Sequence, residues 1–154
     1  MSLVDNVTEI LSLPMSLTRS GLVSFAAVFQ TQAKRTANAL SAALDIPADR
    51  PPDVGVILGT GWGDLLTISG EKSRPMSDLP GFEEIGELEG HKRRVCYGTV
   101  GDKSVIALRG RVHLNERPCH EPTVLAVRMQ AQMLVELGVR TFIITNAAGA
   151  LGKM

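Results

Sequence analysis

The sequence has few cysteines, few aromatic residues and no excess of either charge. Two cysteines, Cys96 and Cys119, are too few for a disulfide framework and indicate a reducing compartment. The 16 basic residues equal the 16 acidic ones, so the chain lacks the net positive charge that attracts proteins to nucleic acids. Aromatic residues make up only 4% of the chain, which leaves few rings on which bases could stack. These absences argue against a nucleic-acid partner but allow a local anion site.

Long hydrophobic runs are also missing. The longest uncharged run near the start, residues 20–33, is too short to cross a bilayer and contains several polar side chains. Acidic Asp5 and Glu9 precede this run, and no small-residue cleavage site follows it, which does not fit a secretory signal peptide. We therefore expect a cytoplasmic protein with no membrane partner.

The spacing of apolar residues predicts two helices. Residues 22–45 repeat apolar or small side chains at intervals of three and four, which is typical of a helix with one buried face. Residues 124–137 form a second candidate helix, with Pro122 before it and Gly138 as its C-terminal stop. Residues 64–90 are rich in glycine and proline, and we expect them to be mostly loop.

Four short segments are predicted to be strands. Residues 54–58 and 141–145 are short apolar runs typical of buried strands. Residues 94–100 and 104–109 flank a Gly-Asp-Lys turn and predict a hairpin. The order helix, strand, hairpin, helix, strand favours an α/β domain with a mixed central sheet and flanking helices. In such sheets ligands bind at the carboxyl ends of strands.

A glycine-rich loop, Gly-Thr-Gly-Trp-Gly at residues 59–63, follows the first predicted strand. Glycines allow backbone N–H groups to approach an anion closely, and Thr60 adds a hydroxyl donor. Asp64 stands where a dinucleotide fingerprint requires glycine, and no Gly-Lys-Ser/Thr follows as in a nucleotide phosphate loop. The loop therefore indicates a phosphate site of another kind, or a tight turn without a ligand.

A second motif, Gly-Arg-Val-His at residues 110–113, follows the predicted hairpin. In an extended segment Arg111 and His113 would point to the same side. An arginine beside an imidazole suits a phosphate, which arginine binds through two parallel hydrogen bonds. The alternative is a surface arginine and a histidine that binds the backbone.

Two further segments complete the candidate site. His91 follows Gly90 just before the hairpin, and residues 146–149, Asn-Ala-Ala-Gly, follow the last strand. Small side chains after a strand leave backbone amides accessible, or else allow close packing against a helix. The three histidines and Cys119 match no standard zinc spacing, so no metal is expected.

The order of these motifs resembles the trimeric purine nucleoside phosphorylase family. The resemblance is carried by VILGTGWGDL at 56–65, GHKRRVCYGTVGDKSVIALRGRVH at 90–113 and TFIITNAAGAL at 141–151. It implies a nucleoside phosphorylase-like three-layer sandwich and a homotrimeric pentosyltransferase of purine salvage. Such an enzyme cleaves purine (deoxy)ribonucleosides with inorganic phosphate to free base and (deoxy)ribose 1-phosphate, without a cofactor.

The resemblance also implies roles for individual residues. Thr60, Arg111, His113 and the amide of Ala147 would bind phosphate, and His91 would be a catalytic residue near the phosphate and the sugar. These groups are donors or cations, as a phosphate requires.

The nucleoside side of the site departs from the family pattern. Ala147 and Ala148 would line the nucleoside pocket, and Asn115 stands where the family has a tyrosine that contacts the sugar. Trp62 replaces a more usual leucine in the glycine-rich loop. We therefore expect sugar binding or substrate preference to differ.

The family pattern continues well beyond the last motif. We expect residues 1–154 to be the N-terminal part of one phosphorylase domain, incomplete at its C-terminal side, with an irregular leader at 1–19. The residues by which the family recognises the base would then be absent. Without them, we expect the isolated chain to be weakly active or inactive. We also expect it to self-associate, because an apolar strand without neighbours favours association.

Three alternatives remain at this point. Thr60 in a Gly-Thr-Gly loop favours a methylthioadenosine phosphorylase, whereas the Gly-His and Gly-Arg-x-His motifs favour the purine enzyme. The chain could instead be an inactive structural or interaction module. A nicotinamide-binding domain is disfavoured by Asp64.

Overall fold

A computed structural model describes residues 19–59, 61–85, 93–117 and 120–146, with side chains from Phe25 onward. The elements in chain order are α1 (Arg19–Leu44), β1 (Val54–Leu58), β2 (Ser69–Pro75), a 3₁₀ turn (Met76–Asp78), β3 (Arg94–Val100), β4 (Lys103–Arg109), a second 3₁₀ turn (Leu114–Glu116), α2 (Glu121–Glu136) and β5 (Thr141–Ile144). Apart from Arg19, the first residue of α1, the expected leader at 1–19 lies outside these residues.

From Phe29 onward, the first helix buries the face that its sequence predicts, whereas Ala26 on the same predicted face is exposed. Its buried apolar residues recur at intervals of three and four: Phe29, Ala33, Ala37, Leu40 and Leu44. Lys34 and Arg35 are exposed on the opposite side. The helix ends where Asp45 takes a left-handed conformation with φ 51°. Together with α2, it packs on one face of the sheet around Ile57, Ile106 and Leu108.

The five strands form one mixed sheet in the order β2-β3-β4-β1-β5. β1 runs parallel to both β4 and β5, whereas β2, β3 and β4 are antiparallel neighbours. The predicted mixed central sheet with flanking helices is therefore confirmed, as is the hairpin of β3 and β4. Because β1 lies between β4 and β5 and is parallel to both, the carboxyl ends of these three strands lie at the same end of the sheet.

Strand β2 corrects the expectation that residues 64–90 are loop. Its sequence, SGEKSRP, shows no hydrophobic alternation, and most of its side chains are exposed. It is a strand because its backbone pairs with β3. The two strands approach so closely that a Cβ on Gly98 would lie 2.5 Å from the carbonyl oxygen of Ser69.

Strand β5 is an edge strand, and the expectation that it is buried is wrong. Ile143 and Ile144 are 53% and 57% exposed. The strand has a single neighbour, β1, in the part of the chain that the structure describes. An apolar composition did not distinguish a central strand from an exposed one, because that difference depends on what else pairs with the strand.

None of the described helices is both long and apolar enough to cross a bilayer.

Candidate functional site

Thr145 joins the carboxyl ends of β1 and β5. Its amide donates to the carbonyl oxygen of Ile57 at 3.0 Å. Its hydroxyl oxygen accepts a 2.8 Å hydrogen bond from the amide of Gly59, the first residue of the glycine-rich loop. A Cβ on Gly59 would lie 2.7 Å from the carbonyl oxygen of Thr145, so only glycine fits here without displacement. The start of the loop is thus fixed to the residue before the Asn-Ala-Ala-Gly motif.

Arg111 reaches the same place from the segment after β4. Its Nη1 donates to the carbonyl oxygen of Thr145 at 3.2 Å. Its buried Nε has no hydrogen-bond partner within the described ranges. A guanidinium has five N–H donors, so most of its capacity remains for an anion. We call Gly59, Arg111 and Thr145 the strand-end cluster.

Gln130 fixes the backbone between Arg111 and His113. Its Oε1 accepts from the amide of Val112 at 2.7 Å, and its Nε2 donates to the Val112 carbonyl at 3.2 Å. Val112 is buried, whereas Arg111 and His113 are half-buried, and the backbone at His113 is extended. This alternation agrees with the prediction that Arg111 and His113 share one side.

Glu116 holds the backbone of His113. Its Oε1 accepts from the His113 amide at 2.7 Å, while its Oε2 forms an ion pair with the buried guanidinium of Arg93. Arg93 is the first described residue after the segment that contains His91. The ion pair therefore ties the start of β3 to the Arg-x-His segment.

The sequence motifs did not indicate Gln130, Glu116 or Arg93. The spacing of Glu116, three residues after His113, is that of a capping box and could have indicated its bond to the His113 amide. Gln130 and Arg93 carry no such local signal, because their partners are distant in the sequence.

The remaining predicted residues are placed as follows. Asn115 is exposed in the second 3₁₀ turn, and Trp62 is 49% exposed in the glycine-rich loop. Thr60, His91, Ala147 and Ala148 lie outside the described residues, so their roles stay predictions. The structure thus brings together Arg111, the start of the glycine-rich loop and the end of β5.

The described residues offer neither a metal site nor a reactive thiol. No group of three or more His, Cys, Asp or Glu side chains in these ranges could hold a metal ion. Cys96 lies in β3 and is fully buried, and this burial raises the pKa of its thiol to about 11. It is therefore protonated near neutral pH and is not a nucleophile there.

Comparison with known proteins shows which family the chain belongs to. Residues 53–153 match the family described as the Phosphorylase superfamily. The chain therefore belongs to the phosphorylase superfamily. The family resemblance and the α/β fold expected from the sequence are both confirmed.

Several curated relatives are about one third identical to this chain in sequence over the aligned region. Purine nucleoside phosphorylase 1 of Geobacillus stearothermophilus is 34% identical over 103 residues, which is 66% of this chain and 36% of the relative. Its namesake in Bacillus subtilis (strain 168) is 37% identical over 101 residues, covering 65% of this chain and 35% of the relative. The chain thus spans about a third of the length of the curated relatives it matches.

Solved structures give the same result for the fold. The purine nucleoside phosphorylase of Schistosoma mansoni in complex with BCX-34 superposes with a TM-score of 0.60 at 26% identity, covering 76% of this chain and 40% of that one. Isoform 2 from the same organism, in complex with cytosine and ribose-1-phosphate, gives 0.57 at 29% identity, covering 77% and 39%.

Proposed function

We propose that this chain supplies the phosphate-binding part of a purine nucleoside phosphorylase. The observation that carries the proposal is the strand-end cluster, in which the Arg111 guanidinium and the first residue of the glycine-rich loop both bind Thr145. A cation and a loop of small residues at the carboxyl ends of parallel strands form a suitable cradle for a phosphate.

Phosphate would be held entirely by donors and cations. Arg111 would use the N–H groups that Thr145 leaves available, and His113 would approach from the same side of its extended segment. The Thr60 hydroxyl and the Ala147 amide would complete the shell, as the family resemblance implies. Such charge-assisted hydrogen bonds are the strongest that a phosphate can receive.

In the proposed reaction an oxygen of the hydrogen phosphate dianion forms a bond to the anomeric carbon of the sugar as the bond to the base nitrogen breaks. The leaving base keeps the electron pair of that bond and takes up a proton, which in the net reaction is the one that the hydrogen phosphate loses. Positive charge develops on the sugar in the transition state, as in other glycosyl transfers, and the bound phosphate dianion would stabilise it. His91 would act at the phosphate and sugar, while Asn115, Ala147 and Ala148 would contact the nucleoside. Inorganic phosphate is the co-substrate, and no metal or cofactor enters the step.

The purine preference rests on the names of the relatives and on the Gly-His and Gly-Arg-x-His motifs. A methylthioadenosine phosphorylase is the second candidate, because Thr60 lies in a Gly-Thr-Gly loop. Turnover of inosine and guanosine but not methylthioadenosine would support the purine enzyme. The reverse preference would replace it with the second candidate.

We further propose that the chain acts as a cytoplasmic homo-oligomer, a trimer by family resemblance. Exposed Ile143 and Ile144 support self-association, because they lie on β5, whose single neighbour among the described residues is β1, and an apolar strand at the edge of a sheet is prone to pair with another chain. Light scattering should show a mass that rises with concentration, and Ile143→Lys should lower it. Val135→Lys, at another exposed apolar position on α2, is the matched control. A monomer at all concentrations would contradict this proposal.

Phosphate binding tests the central proposal separately from turnover. Calorimetric titration of the purified chain with inorganic phosphate should show binding that Arg111→Ala abolishes. Arg35→Ala, which removes an exposed arginine from α1, should leave binding unchanged. If the wild-type chain does not bind phosphate, the proposed function is wrong.

A further inference from the structure

Arg109, the last residue of β4, binds the loop that follows β1. Its Nη1 donates to the carbonyl oxygen of Gly63, and its Nη2 donates to that of Leu66 at 2.8 Å. In the parallel pairing of β1 and β4, Arg109 is the partner of Leu58, the residue directly before Gly59. The side chain of Arg109 therefore holds the loop at Gly63 and Leu66, although Arg109 itself lies beside the residue at which the loop begins.

The guanidinium of Arg109 is itself held in place. Its Nη2 forms an ion pair with Glu71 of β2, and the side chain of Arg109 is only 11% exposed. Hydrogen bonds and ion pairs of a largely buried charge are stronger and more directional than those at the surface. Glu71 and the carbonyls of Gly63 and Leu66 thus fix the orientation of Arg109. Arg109 in turn restrains the loop.

Apolar packing holds only the last residue of this loop, because half-buried Leu66 packs against the buried cluster that includes Val56 and Leu58, whereas the apolar side chains before it are exposed. Trp62 and Leu65 are 49% and 69% exposed. A Cβ placed on Gly61 or Gly63 would meet no described atom within 4 Å. Two local turns, from the Trp62 amide to Gly59 and from the Leu65 amide to Trp62, shape the backbone but do not tie it to the sheet. The bonds from Arg109 supply that attachment.

We propose that Arg109 is a positioning residue that fixes residues 61–66 and thereby holds the glycine-rich loop in place for phosphate. This inference rests on the proposed function, since it concerns the same site. Arg109 contacts no phosphate in this scheme. It orders the loop before the anion arrives, so that less conformational entropy is lost on binding.

Arg94 provides a matched control for Arg109. Arg94 and Arg109 both line a cavity of about 480 Å³ beside the loop, together with Asp64, Thr67 and Glu71. The Nε and Nη2 of Arg94, however, donate to Ser73 of β2 and not to the loop. Removing its charge therefore alters the same cavity without releasing residues 61–66.

The test combines amide hydrogen exchange at residues 61–66 with titration of the full chain by inorganic phosphate. In Arg109→Gln we expect exchange in the loop and the phosphate Kd each to rise about tenfold, the change expected when charge-assisted bonds are lost. Arg94→Gln should change both values less than about twofold, as is usual for substitutions away from a site. Arg109→Lys should restore part of the loop protection, because lysine keeps the charge but not the fork of donors.

The outcomes separate this inference from the proposed function. Wild-type binding with an unchanged loop or an unchanged phosphate Kd in Arg109→Gln overturns the positioning role alone. Absence of phosphate binding by the wild type overturns both. If Arg109→Gln does not fold, Glu71→Gln serves instead. It should also raise loop exchange and the Kd, and no change in either would overturn the inference.

Discussion

The amide of Gly59 and the hydroxyl of Thr145 form a 2.8 Å hydrogen bond, although 86 positions separate the two residues. The bond joins the end of β1 to the end of β5, and the carbonyl of the same threonine accepts from Arg111. Thr145 therefore connects Gly59 to Arg111 in the strand-end cluster. A substitution of its side chain would perturb the cluster directly.

Replacing Thr145 with valine should destabilise the chain. The substitution keeps the shape of the side chain but removes the acceptor for the Gly59 amide, and Gly59 is buried. A buried donor left unsatisfied costs about 1–3 kcal/mol. Urea unfolding should show this loss for Thr145→Val, whereas Thr145→Ser, which keeps the hydroxyl, should lie much closer to the wild type. Equal stability of the two variants would mean that the bond contributes nothing.

Replacing Gly59 with alanine should be more damaging than the same change at Gly63. The new Cβ at position 59 would lie 2.7 Å from the carbonyl oxygen of Thr145, whereas a Cβ at position 63 would meet no described atom within 4 Å. Overpacking of this kind costs about 1–3 kcal/mol. We expect Gly59→Ala to lower the free energy of unfolding by that amount and to weaken phosphate binding. Similar behaviour of Gly63→Ala in both measurements would argue against the close approach as the cause.

The sequence predicted the elements that have their own hydrophobic pattern. Residues 94–100 and 104–109 flank a Gly-Asp-Lys turn, and the β3–β4 hairpin forms almost as expected. The order of the motifs also predicted that Arg111 comes just after the hairpin. Strand β2 was missed because its residues are polar, and only pairing with β3 makes it a strand.

The supporting contacts of the site were not predictable in the same way. Arg109 reaches Gly63 and Leu66 across 46 and 43 positions, and Glu71 across 38. Such bonds depend on how β4 and β2 lie relative to the loop, and they leave no periodic signal in the sequence. The glycine-rich loop itself was visible, but what holds it was not.

Removing the carboxylate of Glu116 should weaken both folding and phosphate binding. Glu116 is largely buried, faces the guanidinium of Arg93 and accepts from the amide of His113. Breaking a buried ion pair from one side costs about 3 kcal/mol. We expect Glu116→Ala to lower the free energy of unfolding by roughly this amount and to raise the phosphate Kd, because the His113 backbone loses a restraint.

Glu84→Ala is the control for that experiment. Glu84 is exposed, and its Oε2 lies 3.9 Å from Nε2 of the His120 imidazole. Exposed pairs of this kind contribute about 0–1 kcal/mol, so this variant should resemble the wild type in unfolding. If Glu116→Ala were as stable as Glu84→Ala, the Arg93–Glu116 pair would not be a structural tie between the two segments.

The buried thiol of Cys96 should make the chain less stable at alkaline pH. Burial raises the pKa of this thiol from 9.0 to about 11 in the folded state. Because the folded chain keeps the proton more tightly than the unfolded chain, this contribution is complete below about pH 9 and is lost progressively as the pH rises towards 11. In the Cys119→Ser protein, the free energy of unfolding should decline over this range more steeply than in the protein that carries Cys96→Ala in addition to Cys119→Ser. The Cys119→Ser protein should also show no thiol that reacts with Ellman's reagent at pH 8 until denaturant is added. A reactive thiol in the folded chain, or identical pH profiles for the two variants, would contradict the burial of Cys96.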